Sequence, residues 1–142
     1  MACPYFIPTQ PHERELWAHR SRLPLGDGFA GRCGACAPDA DCDDETLRWQ
    51  CNLGYAECGR LPGEREFDAV RLLVQTESVG SEGSRRLRVQ FVCEREHRPG
   101  WWGELRYDPS SRKWLQPPDG RLLALAEAAV RAWIGRQEEG EG

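Results

Sequence analysis

Six of the seven cysteines of this chain fall between residues 3 and 58 (Cys3, Cys33, Cys36, Cys42, Cys51 and Cys58), and only Cys93 lies beyond them. The same span is rich in glycine, proline and acid, and it has no long periodic apolar segment. It therefore lacks the material to close a core by itself. A metal is the natural device to fix it, because metal-binding free energy can serve as folding free energy. The odd cysteine count also excludes a fully paired disulfide framework. The opening MACPYFIPTQPHERE has no apolar run of signal-peptide length, and no stretch reaches the roughly 18 apolar residues that span a bilayer. The expected location is cytoplasmic, with no membrane contact. Thiols are kept reduced there, so dense cysteines point to metal or redox chemistry rather than to a disulfide scaffold.

Composition narrows the partners. A net charge of −4 gives no electrostatic reason to expect nucleic acid or an anionic membrane. Of the 19 basic residues only Lys113 is lysine. That bias resembles the codon usage of a GC-rich genome, so the arginine count is not evidence for phosphate binding. Hydrophobic residues at 39% and charged residues at 30% describe an ordinary globular chain.

The second half reads as regular structure. Residues 67–76 (FDAVRLLVQT) set Val70, Leu72 and Val74 on one face, and residues 86–94 (RLRVQFVCE) set Leu87, Val89, Phe91 and Cys93 on one face. The turn-rich SVGSEGS between them predicts a hairpin. Residues 101–107 (WWGELRY) make a third strand and residues 113–115 a short fourth. Residues 119–136 predict an amphipathic helix, with Asp119 as N-cap and Leu122, Leu125, Ala126, Ala129, Val130 and Trp133 on its apolar side. The fold class expected is α+β: a three- to four-stranded antiparallel meander with a C-terminal helix, plus an irregular metal-bound N-terminal region. The corresponding divisions are 1–62, 63–137 and a disordered tail at 138–142. Within the first, helices are expected over residues 44–56 and 12–21.

Cys33-Gly-Ala-Cys36 is a C-x2-C pair on a glycine-rich loop, where backbone amides can turn toward sulfur. It suits a zinc knuckle, a cluster ligand pair or a redox dithiol. Cys51 and Cys58 are seven apart, close to two helical turns, so both sulfurs would share a side if the helix persisted. Cys3 precedes Pro4, and the bacterial ferredoxin run also ends in Cys-Pro. The ligand set expected is Cys3, Cys33, Cys51 and Cys58 around a [4Fe–4S] cluster, with Cys36 as the substitute for Cys33 and Cys42 as a weaker one. Zinc is the alternative cofactor, although structural zinc usually takes two short-spaced pairs. Cys93 fits the core as a small hydrophobe.

Other signals fail. Asp39, Asp41 and Asp43 open like a calcium loop, but the sixth position is Asp44 rather than glycine and the twelfth is Gln50 rather than glutamate. His12-Glu13 starts like a zinc-protease helix, but Leu16 stands where the second histidine belongs. No G-x-S-x-G, Walker or G-x-G-x-x-G motif occurs. Trp101 and Trp102 must face opposite ways on a strand, which sends one toward the core and leaves the other to mark a surface.

The opening CPYF-x-P and the later CNLGYA-x-C resemble motifs of small bacterial cysteine-rich proteins of similar length. That resemblance favours Cys3, Cys51 and Cys58 as a set and implies no activity. The functional expectation is a non-catalytic iron–sulfur protein, in electron transfer or as a structural accessory subunit, with a protein partner. The alternatives are a zinc-stabilised protein-binding module and a thiol–disulfide enzyme using Cys33 and Cys36.

Overall fold

The computed structural model describes the chain apart from residues 13–16, 18, 36–39, 54–57, 80–83, 116–119 and 142. Four strands form the larger sheet, in order β4-β5-β6-β7: β4 (Ala69–Val79), β5 (Ser84–Arg95), β6 (Arg98–Asp108) and β7 (Lys113–Trp114). All neighbours run antiparallel, which is the meander expected. Leu87, Val89, Phe91 and Cys93 on β5 are buried, as the alternation predicts. The β5–β6 turn puts Glu96 (φ 52°) and His97 (φ 66°) in the left-handed region, as a two-residue hairpin of matching twist requires. The buried Asp68 carboxylate stabilises that turn by accepting from the Glu96 backbone N–H at 2.8 Å and from Arg65. Gly103 is needed on β6 because a Cβ there would lie 2.9 Å from the Phe91 ring.

A long helix, α2 (Gly120–Glu141), packs on the sheet with Leu122, Leu125, Ala126, Ala129 and Val130 buried. The expected cap, Asp119, lies outside the described residues. The helix backbone also takes in residues 138–141, where composition predicts a tail.

The N-terminal region is not irregular, which corrects the expectation. It holds a second antiparallel sheet, β1-β2-β3: β1 (Phe6–Pro11), β2 (Phe29–Cys33) and β3 (Ala40–Asp41). Prolines 8 and 11 hide β1 from a pattern reading, since proline within a run argues against a strand. They are tolerated because β1 is an edge strand and shifts register between Pro8 and Gln10. β1 and β2 also approach closely at Gly31, where a Cβ would lie 2.1 Å from the Ile7 carbonyl oxygen. Pro11 thus ends β1, and residues 13–16 and 18 of the helix expected over 12–21 lie outside the described residues. The His12 backbone N–H donates to Gly28, and the described part of that span winds as a single 3-10 turn at Arg20–Arg22.

The first helix is shorter than expected. α1 (Asp44–Thr46) starts at Asp43, whose side chain accepts from the Thr46 N–H at 2.7 Å. It continues as one π turn, Leu47–Cys51, closed by the Asn52 N–H on the Leu47 carbonyl.

One apolar cluster joins the two regions, with Ala2, Phe6, Leu25, Phe29 and Leu47 packed together with the sheet and α2. The supposition that residues 1–60 lack apolar material is therefore corrected. α2 contacts β1 as well as β4, and Arg136 donates to the Gly26 carbonyl at 2.9 Å. At the other end of the region, Ala2 and Val70 exchange backbone hydrogen bonds, both at 2.8 Å, so the chain start extends the β4 edge. The change at residue 62 marks a change of pattern within one core.

Candidate metal centre

Five cysteines line one cavity of about 20 Å³: Cys3, Cys33, Cys42, Cys51 and Cys58. Each arrives on a different piece of backbone, and local sequence explains each arrival. Cys3 opens a Cys-Pro-Tyr-Phe turn in which the Phe6 N–H donates to the Cys3 carbonyl at 3.1 Å. Pro4 supplies the fixed φ that the second turn position favours. The amides of Tyr5 and Phe6 also donate to the Cys3 sulfur. Cys33 is the last residue of β2, paired with Phe6 across the small sheet, and Cys42 follows directly on β3. Cys51 closes the π turn.

Asn52 positions Cys51, and sequence reasoning passed over it. Its side chain is buried and satisfied on all sides. Oδ1 accepts from the Phe29 N–H at 3.0 Å, while Nδ2 donates to the carbonyls of Phe29 (3.0 Å) and Leu47 (2.9 Å). This clamp fastens the π turn to β2, and so holds Cys51 and Cys33 in register. The available signal was an amide side chain directly beside Cys51 within the expected helix.

The expected ligands Cys3, Cys33, Cys51 and Cys58 all line this cavity. A continuous helix does not bring Cys51 and Cys58 together, since the helical backbone ends at Cys51. Cys36, the substitute ligand, lies outside the described residues, as does Asp39. Cys42 is closer to the centre than its acidic surroundings implied, since the Cys51 thiol donates to its sulfur over 3.6 Å. Cys93 is buried in the core of the larger sheet and is not among the residues that line this cavity. His12 is turned elsewhere, with Nε2 3.0 Å from the Asp44 carboxylate.

Burial sets the acid–base state of the sulfurs. It pushes the Cys3 thiol up from its ordinary 9.0 to about 11, an effect that the two donated amides oppose and that the nearby Cys33 and Cys58 reinforce. The Cys51 thiol is also pushed strongly up, first by burial and then by Cys42, and burial raises Cys42 itself. Without a cation these three groups stay protonated at neutral pH, so they are neither nucleophiles nor ready thiolates. A cation would reverse that by displacing the protons. Arg60 also lines the cavity, and its charge lowers the Cys42 pKa.

The donor set fits a soft, thiophilic metal centre. Five sulfurs face a pocket otherwise walled largely by carbon, with Phe6, Ala35 and Leu61 among its lining. One buried acceptor there, Gln50 Oε1, has no hydrogen-bond partner among the described residues. No three His, Cys, Asp or Glu side chains among the described residues already stand as a single-ion site.

Fold and site together define an α+β protein with a thiol-lined cavity between a small sheet and a π turn. Comparisons with protein-family models, curated proteins and solved structures find no match to this chain. No helix of the described residues is long and apolar enough to cross a membrane.

Proposed function

We propose that this chain is an iron–sulfur protein that carries a [4Fe–4S] cluster on Cys3, Cys33, Cys51 and Cys58, in electron transfer or as a structural accessory subunit. The observation that carries the reading is the meeting of five separately delivered thiols around one cavity. A cluster brings its own inorganic volume, and the sulfurs ring a space of about 20 Å³, so the thiols would part to admit it. When bound, it would supply one-electron chemistry, with a potential tuned by hydrogen bonds to sulfur and by burial. The chain's residues provide both levers. The Tyr5 and Phe6 amides donate to Cys3, and Phe6 and Leu61 exclude water. Arg60 offsets part of the negative charge that four thiolates bring. The electron donor or acceptor would be another protein, met in the cytoplasm.

Anaerobic purification tests this directly. A brown protein with near-stoichiometric iron and acid-labile sulfide, both lost in Cys51→Ser, is the expected result. A colourless protein without iron would sink it.

The Cys42–Cys51 contact favours zinc as a second reading. Tetrahedral zinc with bonds of about 2.3 Å sets its sulfurs about 3.8 Å apart, and these two stand at 3.6 Å. In that reading the chain is a zinc-stabilised protein-binding module. It predicts stoichiometric zinc, redox silence and loss of metal in Cys42→Ser.

A further inference from the structure

A second cavity, about 520 Å³ in volume, is lined by Pro4 and Tyr5 of the Cys-Pro-Tyr-Phe turn and by Cys93. Its size falls in the roughly 300–1,000 Å³ range of small-molecule sites. Val70, Leu122 and Leu125 line it, all buried, which makes a dry base between the sheet and the start of α2. Phe67 and Trp101 stand against it as nearly parallel rings, with centroids 6.3 Å apart and planes 21° apart. Trp101 is braced from beneath by the Phe91 edge at 4.9 Å, so its plane is held. Yet Trp101 remains 43% exposed, on the sheet face that α2 covers elsewhere. Tyr5 completes the aromatic wall, and it lines the thiol cavity as well. The charged side chain lining this cavity, among the described residues, is Glu66.

We propose that this cavity binds a planar aromatic small molecule whose edge is cationic or rich in hydrogen-bond donors. Each part of that description has its own cause. A flat guest covers the exposed Trp101 face and gains stacking that a branched aliphatic one cannot. The buried aliphatic base takes its apolar body. Glu66 favours a positive or donating edge and disfavours a phosphate or carboxylate. The proposal does not depend on what the thiols hold, so the two readings can fail separately.

Acridine orange, a planar cation, and 1-anilino-8-naphthalenesulfonate, an anion of similar aromatic area, are the probes. Each is titrated calorimetrically into the protein as purified. The expected result is saturable one-to-one binding of acridine orange, weakened about tenfold in Trp101→Ala and severalfold in Glu66→Gln. Trp102→Ala, on the opposite sheet face, leaves it unchanged. Phe67→Leu, which keeps an apolar filler, serves as the second variant should Trp101→Ala fail to fold, and it should weaken binding about threefold. Absence of saturable binding would overturn the proposal. So would equal affinity for the anion, or a loss in Trp102→Ala that matches the loss in Trp101→Ala.

Discussion

The two regions of this protein reach order by opposite means. β4, β5 and β6 are long strands whose central stretches alternate apolar and polar side chains, and neighbours in the sheet follow one another in the chain without a crossover. Residues 2 to 61 have short strands, one π turn and a polar clamp, and the space at their centre is lined by sulfur instead of hydrocarbon. The first kind of order survives the loss of any single polar contact. The second depends on a few residues at fixed places, because nothing periodic stands behind them.

Removing the proposed centre should have the largest effect and should split the molecule. In Cys51→Ser, or after metal removal, hydrogen exchange should accelerate by orders of magnitude through residues 6 to 52 while β5 and β6 keep most of their protection. Equal acceleration in both regions would show that the comparison is false. Cys93→Ser should leave binding of the proposed metal unchanged.

Phe91→Ala should cost about 3–5 kcal/mol, since it empties the space beneath Trp101 and over Gly103. Denaturant titration should register this as a global loss. Asn52→Ala should cost about 2–4 kcal/mol by leaving buried groups of Phe29 and Leu47 without partners. Its signature should be local, with exchange faster at β2 and the π turn and the metal held less tightly.

A smaller effect separates the regions by pH. In the metal-free protein, Cys3 binds its proton more tightly when folded than when unfolded. Stability should therefore be level below about pH 9 and decline as pH rises toward 11. Denaturation midpoints of the chelator-treated protein measure this, and Cys3→Ala should make the decline shallower, with the remainder due to Cys51 and Cys42. Smallest of all, Trp102→Ala should change stability by less than about 0.5 kcal/mol, as its ring is 67% exposed.

Legibility in the sequence follows the same divide. The alternation at Leu87, Val89, Phe91 and Cys93 reports β5 directly, because a half-buried strand leaves a period-two record. β1 leaves none, since Pro8 and Pro11 are signals against a strand wherever the edge position is unknown. The convergence of cysteines 3, 33, 51 and 58 on one cavity is what their identity and spacing lead us to expect. The place of Cys42 could not be read there, because its flanking Asp41 and Asp43 suggest only a solvated loop. Asn52 was equally silent, for its worth lies in Phe29, more than twenty residues away. Short-range pattern carries strands and helices, whereas convergence of distant side chains leaves no periodic trace.

The pairing of Ala2 with Val70 bears on the order of assembly. All five thiols that face the cavity have been synthesised once residue 58 is made, yet the strand edge that seats the start of the chain is made later. Cys3 therefore cannot take its final position before Val70 of β4 has been synthesised. On a growing chain the other four thiols wait with one side of their enclosure open, and arrival of the sheet shuts it.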